Sequence, residues 1–246
     1  VNGARSWCIV WKAVSKRFGT TPALHAVTLA LPEGRVSAIV GESGSGKSTL
    51  LHLANGLVRP DSGEVTVLGE SLRSAELVGL RRRTGFAVQG VGLFPNLTVH
   101  DNVTLLARLE GWSESRIAER FAELLVLMEL SADIARRYPH ALSGGQAQRV
   151  GLCRAMMLDP PLLLLDEPFS ALDPITRMGI HERFEAVRRS SEASVVLVTH
   201  DMREAVRLAD WLVVMRQGRV LQSGPRQEVI SSPADPYVAR LLEEQL

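Results

Sequence analysis

Gly41-Glu42-Ser43-Gly44-Ser45-Gly46-Lys47-Ser48-Thr49 decides the reading of this chain. It follows an apolar stretch with strand character, 36–40, and opens a helix-like run, Leu50 to Val58. Glycine at 41, 44 and 46 lets the backbone turn tightly enough for successive N–H groups to face one polyphosphate, and the helix start adds its partial positive charge. Lys47 is spaced to reach the β- and γ-phosphates of a nucleoside triphosphate, and the Ser48 hydroxyl to ligate Mg²⁺. The alternative is a glycine-rich strand-to-helix turn with an exposed lysine; the flanking strand and helix signals favour nucleotide binding.

Composition narrows what surrounds that loop. A chain of 246 residues with 46% hydrophobic content is globular and long enough for one full core, with or without a smaller lobe. Lys and Arg number 28 against 27 Asp and Glu, a balance that leaves no basic footprint for wrapping nucleic acid. Cys8 and Cys153 lack metal-ligand spacing and read as structural thiols of a reducing, cytosolic compartment. Apolar runs such as Leu124 to Met128 and Trp211 to Met215 fall far short of the ~18 residues that cross a bilayer. Val1 to Arg5 lacks the layout of a secretory signal, so no export is expected.

Along the chain, Cys8 to Val14, Ala26 to Leu31, Arg35 to Val40, Glu64 to Leu68 and Phe86 to Gln89 read as strands, divided by turns at Pro32-Glu33-Gly34 and Pro60-Asp61-Ser62-Gly63. The period then becomes helical over Val99 to Glu110, Ser113 to Met128 and Ala132 to Arg137, which implies a separate helical lobe. Leu162 to Leu165 and Val195 to Val198 are continuous apolar runs of doubly covered strands, joined by a helix over Ile175 to Arg189, a unit suited to a parallel sheet. Trp211 to Met215 and Val220 to Gln222 read as a hairpin turned at Gly218.

Asp166 and Glu167 fall at the C-terminal end of the 162–165 run, the edge where open α/β sheets present their ligands. Adjacent carboxylates there call for a cation: Asp166 would hold Mg²⁺, and Glu167 would act as base on the water that attacks the γ-phosphate. Leu142-Ser143-Gly144-Gly145-Gln146 precedes a further helix-like run, Ala147 to Leu158, and is a second glycine-rich helix start. By itself it reads equally as an ordinary N-cap.

Together with the phosphate loop, this pentapeptide resembles the signature motif of ATP-binding cassette (ABC) ATPases, and the likeness extends from about Ile9 to Ile230. The resemblance implies an α/β P-loop domain with a mostly parallel core sheet, an antiparallel β subdomain and a helical subdomain. Residues 1–246 then form a single ATPase domain: core 7–95 and 158–230, helical subdomain 96–157, and a short tail, 231–246. It implies that Ser143 and Gly145 contact the γ-phosphate of an ATP bound by the other subunit, with Gly144 and Gln146 in the same nucleotide-binding stretch, in a head-to-tail homodimer with two shared sites. Gln89 matches the glutamine that touches Mg²⁺ and the attacking water, Ser170-Ala171-Leu172-Asp173 the loop that crosses the dimer interface, and His200 the switch histidine on the γ-phosphate. Phe18 stands where the family stacks an aromatic on adenine, with plain core packing as the alternative. Arg81-Arg82-Arg83, just before a strand, is read as a solvated face.

Gln89 to Val99, Asp173 to Arg177, Val198 to Ala205 and Pro233 to Val238 are similar to the corresponding stretches of bacterial importer ATPases, nearest to those for osmoprotectants such as glycine betaine, choline and carnitine. The expected partners are transmembrane permease subunits and, indirectly, an extracytoplasmic solute-binding protein, with no nucleic acid. The expected place is the cytoplasmic face of the cell membrane, as a peripheral subunit. Other readings are an importer of amino acids or other polar solutes, an exporter, a non-transport ATPase of the same fold, and a P-loop kinase; the last leaves 142–146 and 171–173 without a role. The chain stops at Leu246, whereas several osmoprotectant ATPases continue into paired regulatory domains.

Overall fold

Strands that carry apolar side chains on both faces need cover on both sides, and parallel pairing with intervening helices supplies it. The computed structural model describes residues 6–90, 92–190 and 192–245, without the side chains of 186–190. The expectations for Val1 to Arg5, and Val91 of the 89–99 stretch, lie outside the described residues. In chain order the elements are β1 (Trp7–Phe18), β2 (Thr21–Pro32), β3 (Val36–Val40), α1 (Lys47–Ala54), β4 (Ser62–Val67), β5 (Glu70–Ser71) and α2 (Leu77–Arg82). These are followed by β6 (Thr84–Ala87), α3 (Val99–Leu109), α4 (Glu114–Leu127), short 3-10 turns at Ala132–Arg136 and Pro139–Ala141, α5 (Gly144–Met156), β7 (Leu162–Asp166) and α6 (Pro174–Ser190). The chain closes with β8 (Ser194–Thr199), α7 (Met202–Leu208), β9 (Trp211–Arg216), β10 (Arg219–Pro225), α8 (Arg226–Ser231) and α9 (Pro236–Gln245). It divides into two compact units: residues up to Leu80 with those from Ala193 onward, and Arg81–Glu192.

The first unit holds an antiparallel sheet in the order β2-β1-β4-β5. Its other strands centre on β3, which is buried at all five positions and runs parallel to both β8 and β9, while β10 returns antiparallel to β9. Val40 pairs with Thr199 and with Val214, so the segments that leave β3 and β8 emerge side by side at one sheet edge. In the second unit β6 and β7 are parallel, with Ala87 opposite Leu165. Between them in sequence come α3, α4 and α5; Thr98 caps α3 by accepting from Asp101 N, and Ser113 caps α4 by accepting from Arg116 N. Helix α5 lies close on β6 because position 85 is glycine: a Cβ there would come 2.1 Å from the Ala155 carbonyl oxygen.

Several boundaries differ from the sequence expectation. The helix after the phosphate loop begins at Lys47, not Leu50, because Gly46 at φ 100° serves as its N-cap; it ends at Ala54, before Val58, where Asn55 caps it and Gly56 takes φ 64°. β1 and β2 each span 12 residues, beyond the expected ranges, because register slips and the positive φ of Ala13 and Ala26 (49° and 45°) carry the pairing past the polar stretch. Arg81 and Arg82 form the last turn of α2, an element the reading of a basic face missed, and Arg82 Nε lies 3.1 Å from a Glu110 carboxylate oxygen. Among the described residues no helix is long and apolar enough to cross a membrane.

Candidate functional site

The phosphate-loop half of the site is built in the first unit. Gly41, Gly44 and Gly46 adopt φ of 151°, 77° and 100°, and at 41 and 46 a side chain is excluded by contact as well as by conformation. A Cβ on Gly41 would meet the Met215 carbonyl oxygen at 2.1 Å; one on Gly46 would meet the Ala23 carbonyl oxygen and Leu24 Cδ2, both at 2.8 Å. At Gly44 nothing lies within 4 Å, so the loop is braced beneath and open above. The brace continues through Ser45, whose carbonyl accepts from Gly218 N at 3.0 Å, in the turn between β9 and β10.

Lys47 is buried, and its Nζ donates to the carbonyls of Gly41 (2.7 Å) and Glu42 (2.8 Å), with Ser45 Oγ at 3.5 Å. The ammonium is thereby fixed against its own loop rather than dispersed in solvent. Glu42 and Ser43 are exposed on the loop, and Ser48 and Thr49 are half-buried in the first turn of α1. His200 directly follows Thr199, the residue paired with Val40, and is exposed. After it Asp201 caps α7, accepting from Arg203 N (2.9 Å) and Glu204 N (3.3 Å). Phe18, at the end of β1, is 52% exposed with Lys16 Nζ 5.6 Å from its ring centre, which rules out the core-packing alternative.

The second unit carries the carboxylates. Asp166 closes β7 and is 2% exposed; Glu167 follows it, half-buried, at φ 47°. A positive φ costs a residue with a side chain of order 1–3 kcal/mol, so the surroundings must hold it. They do so at the Glu167 carbonyl, which accepts from Gln148 Nε2 (2.8 Å), Ser170 Oγ (3.0 Å) and Ser170 N (3.3 Å). Gln89 lies two residues beyond Ala87 and Glu167 two beyond Leu165, so the parallel register brings them together: Gln89 Nε2 donates to Glu167 Oε2 at 3.3 Å.

Ser143, Gly144, Gly145 and Gln146 form the first turn of α5 and the residue before it. A capping box closes that end: Ser143 Oγ accepts from Gln146 N (3.2 Å), and Gln146 Oε1 accepts from Ser143 N (3.0 Å). Beside Gly144 the space is open, whereas a Cβ on Gly145 would lie 3.2 Å from the Ala171 carbonyl oxygen, so the helix end is pressed against 171–172. Asp173 accepts from Thr176 N at 3.0 Å ahead of α6, and hydrogen bonds from Thr176 hold its carboxyl below the usual range.

Three residues that matter here were not singled out in the sequence. Asn102 is fully buried; it accepts from Phe94 N and donates to the carbonyls of Phe94, Leu97 and Thr98, fixing the loop after Gln89. Arg154 donates to the Gly92 carbonyl at 2.8 Å and stands 5.9 Å from the Phe94 ring centre, and burial pulls its guanidinium below its ordinary pKa. Gln148 is the third. Gln148 and Arg154 stand six residues apart on α5, and such polar side chains are a signal only once the neighbouring loops are known.

The residues present suit a triphosphate with a hard divalent cation. In the first unit the loop is open at Gly44, Lys47 Nζ is held at the loop carbonyls and Ser48 carries a hydroxyl; in the second unit Asp166 and Gln89 carry carboxylate and amide oxygens; these are donors of the kind Mg²⁺ takes. Among the described residues no group of three or more His, Cys, Asp or Glu could hold a metal.

The family described as "ABC transporter" matches residues 24–170. The glycine betaine uptake system ATP-binding protein YehX of Escherichia coli K12 is 46% identical over 94% of this chain and 75% of its own length. The glycine betaine/carnitine/choline transport ATP-binding protein OpuCA of Bacillus subtilis 168 is 40% identical over 94% of this chain but 61% of its own. Among solved structures, a dimeric, post-hydrolysis state of the ATP-binding cassette MJ0796 bound to ADP and Pi matches with TM-score 0.83 and 33% identity, over 89% of this chain and 98% of that one.

Proposed function

The chain belongs to the ABC transporter family as an ATP-hydrolysing cassette, and from that premise we propose that it is the motor subunit of a bacterial importer for osmoprotectants of the quaternary-amine class. The solute is inferred from the relatives that carry glycine betaine, carnitine or choline in their names. We further propose residues 1–246 as one cassette domain, with a core of 7–95 and 158–230, a helical subdomain of 96–157 and a tail of 231–246. The transmembrane permease and extracytoplasmic binding protein are the partners this reading requires, with the cassette peripheral on the cytoplasmic face. The solvent-facing loop around Phe94, fixed by Asn102 and Arg154, is the docking point we assign to the permease.

The hydrolytic chemistry rests on one observation above others: the Glu167 carboxylate is held by the Gln89 amide at the ends of two parallel strands. In this reading the Glu167 carboxylate, with Gln89 Nε2 donating to its Oε2, accepts a proton from water. As that water oxygen bonds to the γ-phosphorus, its proton passes to Glu167 and the bond from phosphorus to the ADP oxygen breaks. Lys47 binds the β- and γ-phosphate oxygens, Gly41 to Gly46 present their amides to the same groups, and His200 donates to the γ-phosphate. Phe18 offers its exposed ring to the adenine. Ser48, Asp166 and Gln89 would hold Mg²⁺, which when bound neutralises charge on the β- and γ-phosphates.

Ser143 and Gly145 act in trans in this reading, closing over the nucleotide of a second, identical copy, with Asp173 at the shared boundary. That the cassette MJ0796 is dimeric supports the pairing of two copies. ATP then joins two copies and hydrolysis releases them. Purified Glu167→Gln should bind ATP, form a stable ATP-dependent dimer by light scattering and lose about 10²- to 10⁴-fold in phosphate release; near-normal hydrolysis would refute the assignment of the base.

A further inference from the structure

We propose that Gln148 is a positioning residue for hydrolysis: its side-chain amide ties helix α5 to the backbone of Glu167 and holds the carboxylate where it can act. The proposal rests on Glu167 being the base. Gln148 is half-buried and uses both ends of its amide. Nε2 donates to the Glu167 carbonyl at 2.8 Å and stands 3.2 Å from Ser170 Oγ, while Oε1 accepts from Ala171 N at 2.9 Å. One side chain of the signature helix thus grips the residue after Asp166 and the loop that follows.

Glu167 needs such a grip. Its φ of 47° is a conformation that residues with side chains adopt only when their surroundings enforce it. The donors to its carbonyl from Ser170, three residues along the same loop, move with it. Gln148 donates from another element. That element is itself seated on both sides: α5 meets β6 at Gly85, where a Cβ would lie 2.1 Å from the Ala155 carbonyl oxygen, and 171–172 at Gly145, where one would lie 3.2 Å from the Ala171 carbonyl oxygen. At its far end Arg154 holds the Gly92 carbonyl at 2.8 Å. A rigid helix therefore joins Ser143, the Glu167 backbone and the loop after Gln89, and a shift at either end of α5 is felt at the carboxylate through Gln148.

Gln148→Met keeps the length of the side chain and removes the hydrogen bonds to Glu167 O, Ser170 Oγ and Ala171 N. In the purified full chain it should lower kcat for ATP hydrolysis about 10- to 100-fold and leave KM for ATP within about twofold, since positioning errors near 1 Å cost rate rather than binding. Placed on Glu167→Gln and followed by single-turnover assay, the same substitution should cost less than about twofold, because the carboxylate it positions is gone. Gln148→Glu keeps length and the acceptor for Ala171 N but loses the donor; it should match the loss of Gln148→Met, and it carries the test if the methionine variant does not fold. A normal kcat in Gln148→Glu and Gln148→Met, with Glu167→Gln inactive, overturns the proposal and leaves the assignment of the base standing. An equal loss in both backgrounds also overturns it, since Gln148 would then act otherwise than through Glu167. An active Glu167→Gln would instead remove the premise.

Discussion

Gly41→Ala should be the most damaging single methyl group that can be added to the phosphate loop. The Cβ would sit 2.1 Å from the Met215 carbonyl oxygen, well over 1 Å inside contact distance, and neither side can yield easily because Met215 is a buried residue of β9 and position 41 directly follows the buried β3. Overpacking of this kind costs about 1–3 kcal/mol, and a side chain at φ 151° adds about 1–3 kcal/mol more. At about 2–4 °C per kcal/mol for a chain of this size, the thermal midpoint should fall by about 5–20 °C. Gly44→Ala provides the comparison: its φ of 77° carries the backbone cost but nothing lies within 4 Å of the new methyl, so its midpoint should fall by no more than about half as much. Thermal unfolding followed by circular dichroism, without nucleotide, reads both. Equal midpoints for the two variants would refute the steric argument, and a Gly41→Ala midpoint matching the native chain would show that β9 does not brace the loop.

Lys47→Ala removes the ammonium fixed over Gly41 and Glu42, and hydrogen bonds to charged groups contribute about 1.5–3 kcal/mol each. ATP affinity by fluorescence titration should weaken about 10- to 100-fold; unchanged affinity would contradict the phosphate cradle. Burial pushes the Cys8 thiol up to about 11 and the Cys153 thiol to about 12, from a model-compound value of 9.0. Both should resist Ellman's reagent at pH 8 in the folded chain and react once it is denatured; rapid labelling of the native protein would be the contrary result. The same shifts set a pH dependence: above pH 9.0 the unfolded chain loses thiol protons that the folded chain keeps, so this contribution is complete below pH 9 and lost as pH rises toward 11–12. Urea midpoints that rise over that range would contradict it, with a Cys8→Ala, Cys153→Ala variant as reference.

What could be read in the sequence was whatever local chemistry forces. Five consecutive buried positions at 36–40 and the leucines of 162–165 admit little but doubly covered strands, and glycines at 41, 44 and 46 admit little but the tight loop found. Asp166 and Glu167 followed from their place at the end of such a strand. The short helices did not follow: α2 and α8 have six residues each and α7 seven, too few turns for an apolar stripe to stand out, although Asp201 three residues before Glu204 was an available start signal for α7. Nor did the strain at Glu167, because a positive φ outside glycine is imposed by partners far away in sequence, here Gln148, nineteen residues earlier. The pairing of Gln89 with Glu167 depends on β6 and β7 being in register, which neither strand encodes alone.

The central claim is that each triphosphate lies between the phosphate loop of one copy and Ser143 of another. Mixing copies carrying Lys47→Ala with copies carrying Ser143→Arg, each inactive alone, tests it directly. In the mixed dimer both lesions fall on one composite site and the other site is intact, so ATP hydrolysis should reappear on mixing and scale with the fraction of mixed dimers. A mixture that forms ATP-dependent dimers yet stays as inactive as its two components would contradict the account.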